Sequence, residues 1–280
     1  MRLVIQILLL TGFCFFSTIS FAVGKKISKI VLDAGHGGKD FGAPGTYSHE
    51  KDLTLAISLR VGKIIEDSLD GVQVIYTRTS DVYPSLTDRH EIANQAKADL
   101  FIAIHINANP GTSEKSFAGY KTVKRGKKRT KVAVYHVTRH RQTTVQGTES
   151  YVLGLHRNSQ KEDAIEENSE ELNEETGLLD ESDPQTAIII AQYSQAFLSR
   201  SVSLASKIQQ EFSSQGRRDF GVKQKGLEVL AGSAMPGVLV ECGFINNLDE
   251  EAYMNSEDGQ QEVALAIFRG IRAYKFEAER

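Results

Sequence analysis

The sequence predicts an α/β domain built on a largely parallel sheet, and three observations carry that expectation. Short apolar runs at Ile30–Leu32, Val72–Tyr76, Leu100–Ile104 and Val238–Val240 alternate with stretches whose apolar residues recur at helical spacing. Two of those runs end on a histidine and one on a glutamate. The length of 280 residues, with 40% hydrophobic and 25% charged residues, suits one large domain or a domain with a sizeable insertion. A net charge of −3 gives no reason to expect nucleic acid as a partner.

The N-terminus reads differently from the rest. Met1-Arg2 carries the positive start, Leu3 to Phe21 is nearly all apolar, and Ser20-Phe21-Ala22 offers a small-x-small cleavage site. Residues 1–22 are therefore expected to be a secretory signal peptide, the competing reading being a retained membrane anchor. Membrane contact is expected only through an uncleaved signal. Bulky Phe13 before Cys14 argues against a lipoprotein. With Cys14 removed, Cys242 stands alone in an apolar run and reads as a buried small residue.

In chain order, the first strand stops at a loop with five glycines between Gly35 and Gly45, and His36 sits among them. The loop matches neither the dinucleotide nor the P-loop pattern, so phosphate binding is a weak alternative. Ser48 is expected to cap a helix over about 50–69, with Leu53, Ile57, Val61 and Ile65 on one face and Glu50 in its first turn. A second strand over 72–76 leads to a helix from Pro84 and Thr87 to about Lys97. The third strand ends at His105-Ile106-Asn107. After the interruption at 110–185, a long amphipathic helix is expected from Thr186 to about Ser213, then Val222, a strand over Leu227–Leu230, a buried strand ending near Glu241, and one closing helix from Asp249 to about Phe276.

Between 110 and 185 the alternation breaks down, although 148–155 still reads as a strand. Residues 121–141 hold nine Lys/Arg and no acidic residue, whereas 162–183 hold eleven acidic residues and no basic one. Ile165, Leu172 and Leu179 fall seven apart, a narrow apolar stripe that would dock only marginally.

His36, His105 and Glu241 at strand ends, with Glu50 beginning a helix, offer two imidazoles and two carboxylates. Two histidines and a carboxylate form a hydrolytic zinc set that leaves a fourth position open. The second carboxylate would serve as general base and then as acid. Spacing alone does not establish this, since the residues lie far apart in sequence.

Leu32-Asp33-Ala34-Gly35-His36-Gly37-Gly38 with Asp40 and Gly42-Ala43, then Glu50, Ser80-Asp81 and Asp88-Arg89, followed by Ile104–Ala108 and Val240–Asn247, resembles the zinc-dependent N-acetylmuramoyl-L-alanine amidases of the cell-division type. The likeness covers about residues 28–275, within a catalytic domain placed at 27–276. It implies a twisted, mainly parallel six-stranded sheet flanked by helices, with a charged insertion before the last two strands. It implies one Zn²⁺ per chain held by His36, Glu50 and His105, with Glu241 catalytic. The substrate implied is peptidoglycan, cut in the exported or periplasmic space during daughter-cell separation and wall turnover. Asn107, Arg78 and Arg89 are candidates for substrate contact, with a structural ion-pair role weighed more heavily for the two arginines.

In many relatives an inserted helix lies over the zinc and a glutamate from it fills the open position until a partner protein withdraws it. Residues 159–183 stand where such a helix belongs, with Glu167, Glu166 and Glu170 as the blocking candidates. The basic run 121–141 has no counterpart in that resemblance; anionic wall polymer, lipid head groups and the acidic run beside it are its three candidate partners. Two other functions stay open on the residues alone: another zinc amide hydrolase, such as a peptidase or deacetylase, and a non-catalytic wall-binding division protein.

Overall fold

The computed structural model describes residues 26–126, 128–168 and 184–280; the expected signal segment 1–22 lies outside them. A six-stranded sheet runs β2-β1-β3-β8-β6-β7, made of β1 (Lys29–Ala34), β2 (Gln73–Tyr76), β3 (Leu100–Asn107), β6 (Thr148–Leu153), β7 (Asp219–Lys225) and β8 (Gly237–Phe244). Four of its five pairings are parallel; β6 alone meets β8 antiparallel, and β7 follows β6. The strand at 148–155 is thus a member of the main sheet rather than part of an insertion.

Side chains alternate along each strand, so the two faces build two cores. Ile30, Leu32, Ile102, Ile104, Val238 and Val240 pack on one face beneath α1 (Glu50–Ser68), α4 (Pro184–Ser214) and α7 (Glu257–Ala278). Val31, Phe101, Ala103 and Leu239 point to the other, where α2 (Leu86–Gln95) and the single turn α5 (Glu228–Ala231) cover them. The second layer is the smaller. Among the described residues no helix is long and apolar enough to cross a membrane.

Local chemistry explains where the expected boundaries shift. Helix α1 begins at Glu50 with His49 at its N-cap and no side-chain cap. Ser48 Oγ instead donates to Glu251 (2.8 Å), which also accepts from the backbone of Thr46, Tyr47 and Ser48. Ser85 and Asp88 form a reciprocal capping box that starts α2 two residues after Pro84. The expected strand over Leu227–Leu230 is the helical turn α5: Leu153 pairs with Lys225, so β6 offers no ladder partner further on. The single closing helix is two, α6 (Leu248–Asn255) and α7, because extended Ser256 ends the first and caps the second through Gly259 N.

The basic run has regular structure. β4 (Thr112–Arg125) and β5 (Lys128–His140) pair antiparallel as a separate two-stranded ribbon. The acidic run is described only through α3 (Asn158–Asn168). Because β6 runs antiparallel to β8, it delivers α3 to the N-terminal end of β8. There buried Lys161 Nζ donates to the carbonyls of Leu230 (3.1 Å), Ser233 and Met235 (2.7 Å). Burial pushes that ammonium down to about 7.

Helices α4 and α7 cross closely at Gly270, where an added Cβ would lie 2.6 Å from Ile208 Cα. Gly270→Ala gains about 1 kcal/mol of helix propensity but meets backbone that cannot swing aside, an overpacking cost of about 1–3 kcal/mol. The substitution is expected to lower the urea midpoint of unfolding; an unchanged or higher midpoint would show that the helices part freely.

Candidate metal and catalytic centre

The centre lies at the C-terminal ends of β1 and β3, on either side of the point where the connections diverge: β1 leads out to β2, and β2 returns across β1 to β3. That is where an α/β sheet opens a crevice. His36 follows β1 in a left-handed conformation (φ 61°), uncommon for a residue with a side chain. His105 is the sixth residue of β3, and Glu50 opens α1 and is 4% exposed.

The Glu50 carboxylate draws these elements together. One oxygen pairs with His105 Nδ1 (3.0 Å) and accepts from Ile106 N (3.0 Å). The other faces His36 Nε2 (3.0 Å) and accepts from Ala43 N (2.7 Å). One ligand atom from each of His36, Glu50 and His105 lies within 4.8 Å of the others, a site of metal-ion size. His36 Nδ1 bonds Asp40 Oδ2 (2.8 Å), the outer carboxylate contact that orients a ligating imidazole. Two glycines are required here: a Cβ on Gly35 would stand 2.4 Å from the His105 ring, and one on Gly42 2.6 Å from Glu50 Oε2. Two imidazoles and a carboxylate without sulfur suit Zn²⁺.

The electrostatics agree with the geometry. Burial alone would lower the His36 pKa, but the hydrogen bonds and charges of Glu50 and Asp40 outweigh it and raise it to about 9. His105 is raised by Glu50 against the same burial penalty. Burial works to raise Glu50, yet its two imidazole partners hold it well below the usual carboxylate range.

Glu241 stands beside His105 in parallel register on β8. Burial pushes its carboxyl up to about 7; nearby His105 opposes this, while Glu50 and Glu149 add to it. Its Oε2 has no hydrogen-bond partner among the described residues. A buried oxygen left this way is costly without a chemical use. Directly across the antiparallel pair lies Glu149, 4% exposed. It accepts from Asn107 Nδ2, Tyr151 Oη (2.7 Å) and Lys223 Nζ. Asn107 is thus brought to the centre but spends its amide on Glu149. Sequence reasoning assigned no role to Glu149, Tyr151, Lys223 or Asp40. The one signal was a charge at Glu149 inside a strand.

The other candidates fall elsewhere. Arg78 and Arg89 are each 3% exposed and lie behind the glycine loop. Arg78 donates to the carbonyls of Ala34 (2.9 Å), Gly35 (2.8 Å) and Lys51 (2.8 Å); Arg89 donates to Asp33 Oδ1 (2.6 Å), Ala34 O (2.8 Å) and His36 O (2.7 Å). Both guanidinium groups thus spend these bonds on the backbone of the loop and α1 and on Asp33. Glu166 and Glu167 ride on α3, anchored at the opposite end of β8 from Glu241, so neither covers the centre. The antiparallel course of β6 is the reason. Glu170 lies outside the described residues.

Arg89→Met should strand the buried Asp33 carboxylate and release His36 O. Breaking such a pair costs about 3–5 kcal/mol, so the unfolding midpoint should fall steeply in urea. A variant of unchanged stability with a raised KM would instead make Arg89 a substrate contact.

Residues 30–273 match the N-acetylmuramoyl-L-alanine amidase family. The sporulation-specific N-acetylmuramoyl-L-alanine amidase of Bacillus subtilis is 46% identical over 89 residues, 32% of this chain and 35% of that protein. The endolysin of Bacillus phage SPP1 is 32% identical over 246 residues, 88% of this chain and 65% of that protein. The chain therefore spans between about a third and two thirds of the length of these two curated relatives. The crystal structure of an N-acetylmuramoyl-L-alanine amidase from Clostridium difficile 630 superposes with a TM-score of 0.58 at 26% identity, covering 89% of this chain and 97% of that one. With a match over nearly all of its sheet and a fold shared with that structure, the chain belongs to the N-acetylmuramoyl-L-alanine amidase family.

Proposed function

We propose that this chain is an exported, zinc-dependent peptidoglycan hydrolase. It would cut the amide between the lactyl group of N-acetylmuramic acid and the L-alanine of the stem peptide, in wall turnover and daughter-cell separation. The observation that carries the reading is the convergence of His36, Glu50 and His105 within 4.8 Å, with half-buried Glu241 in register beside His105. Family membership names the bond, and the apolar N-terminal stretch with its small-x-small end supports export.

Zn²⁺ held by His36, Glu50 and His105 would supply carbonyl polarisation and acidify a bound water. The remaining work belongs to the chain. Glu241 Oε2, free of hydrogen bonds within the described residues, takes the proton from the attacking water and returns it to the departing alanine nitrogen. Asp40 keeps the His36 ring turned so that Nε2 faces inward. Glu149, tied to Asn107, Tyr151 and Lys223, builds the wall of the cleft opposite Glu241. Glu166 and Glu167 take no part in this reading, since α3 is anchored at the other end of β8; Glu170 and the rest of the acidic run, 169–183, lie outside the described residues.

Incubated with purified peptidoglycan, the chain should release stem peptides bearing free L-alanine amino ends, detected by mass spectrometry, and a chelator should stop the release. Glu241→Gln should lower kcat by about 10²–10⁴-fold, the range for loss of a general acid–base. Peptides cut elsewhere, deacetylated sugars, or full activity in Glu241→Gln would each overturn the assignment.

Zinc affinity carries a second prediction. With a pKa near 9, His36 holds a proton at pH 7 in a chain stripped by chelator, and zinc must expel it. Affinity should therefore rise by about tenfold per pH unit below about pH 9. Zinc titration calorimetry at pH 7 in buffers of different ionisation enthalpy should report at least one proton released. Buffer-independent heats would contradict the paired imidazole.

A further inference from the structure

The β4–β5 ribbon belongs to no core and rises from the rim of the catalytic crevice. Its feet are Asn109 and Arg141, and buried Asn246 grips both: its Nδ2 donates to Asn109 O (2.8 Å) and to Arg141 O, while its Oδ1 accepts from Asn109 N (3.1 Å). Thr143 N adds a bond to Asn246 O (3.0 Å). Asn246 lies five residues beyond Glu241, so the ribbon is footed on the end of the strand that carries the catalytic carboxylate.

Cross-strand register sorts its side chains. Phe117 faces Tyr135, and Tyr120 faces Ala133 after the bulge at 117–119, which puts three rings on one face. Phe117 lies 5.9 Å from Tyr135 and 5.2 Å from Tyr120 between ring centres, and the three are 57%, 52% and 69% exposed. Towards the turn the same face carries Lys131 opposite Thr122 and Arg129 opposite Lys124, all exposed. A two-stranded ribbon is marginal in water by itself, and an exposed aromatic cluster marks a contact surface.

We infer that this ribbon is a polymer-binding arm, which lays a peptidoglycan strand along its aromatic face beside the crevice and pairs its basic end with the stem-peptide carboxylates. The inference rests on the amidase reading for the identity of the polymer. Charge complementarity supports it: residues 121–141 hold nine Lys/Arg and no acid, and wall peptides carry free carboxylates. Sugar rings present apolar CH faces that fit exposed aromatic rings. The layout is wrong for a membrane anchor. A hairpin entering lipid tip first needs its apolar side chains at the turn, whereas these rings stand roughly 20–30 Å from it at strand rise, behind a belt of cations.

The test uses the full chain in a Glu241→Gln background, which binds without cutting. Two sets of ribbon substitutions are compared with it, F117A/Y120A/Y135A and K124E/R129E/K131E. Each is sedimented with purified insoluble peptidoglycan and with phosphatidylglycerol vesicles over a range of salt. The aromatic set should weaken sedimentation with peptidoglycan by about tenfold or more, and the charge-reversed set should remove its salt-sensitive part. In the active chain, the same substitutions should leave kcat/KM on a soluble N-acetylmuramoyl-L-alanyl peptide within about twofold while cleavage of intact peptidoglycan falls. Unchanged sedimentation in both sets, an equal loss on the soluble fragment, or binding to vesicles in place of peptidoglycan would overturn the arm. Failure of the unsubstituted active chain to cut either substrate would overturn the amidase reading instead, and sedimentation would still decide the ribbon.

Discussion

Two guanidinium groups buried beneath the glycine loop hold the centre in place. The strand leaving β1 must turn so sharply that His36 adopts a positive φ, a conformation costing on the order of 1 kcal/mol or more for a residue with a side chain. Arg78 and Arg89 offset that cost by gathering the carbonyls of Ala34, Gly35 and His36, groups that the turn removes from any ladder. Asp33 balances one of the two charges, and Thr77 steadies it with a 2.6 Å bond. With its backbone fixed from behind, the loop presents His36 forward to Glu50. The metal-sized gap between the two histidines is thus set by bonds that never touch it.

Register does the rest. Parallel pairing of β3 with β8 puts Glu241 beside His105, and antiparallel pairing of β8 with β6 puts Glu149 beside Glu241. Three strands therefore place His105, Glu241 and Glu149 in one row on the face that the thinner helical layer covers. The two carboxylates differ by environment. Glu149 is satisfied by three donors, whereas Glu241 is half-buried, with one buried oxygen unpaired among the described residues and its pKa raised. Environments that separate two acids in this way are what the proposed division of work, Glu149 for structure and Glu241 for proton transfer, relies on.

Much of this was legible in the sequence because strong signals coincide there. Apolar runs broken by histidines or a glutamate gave three of the central strands and their ends, and helical spacing gave α1, α2 and α4 to within a few residues. The errors came where tertiary partners decide. Ser48 could not be seen to serve Glu251, 203 residues away, rather than its own helix. Leu227–Leu230 has the composition of a strand but no neighbour to pair with. Glu149 looked like one more charge near an insertion, since its role depends on a strand reversal that no local pattern announces. Glu166 and Glu167 were set over the centre for the same reason: their composition suits a movable cover, but the direction of β6 carries the described part of that helix, Asn158–Asn168, to the other end of the sheet.

That reversal has a further effect on how the domain tolerates change. Connections that leave the sheet at the end of β3 or enter β6 emerge around the crevice, while those after β6 emerge at the opposite pole. The domain consequently has two ports of growth with separate consequences. Length added between residues 108 and 147 alters what can approach the cleft; length added directly after Leu153 emerges on the underside, around Lys161 and its carbonyl cage. Lineages sharing this sheet could accordingly diversify their choice of polymer at one pole and their attachments at the other, each without disturbing the four side chains between.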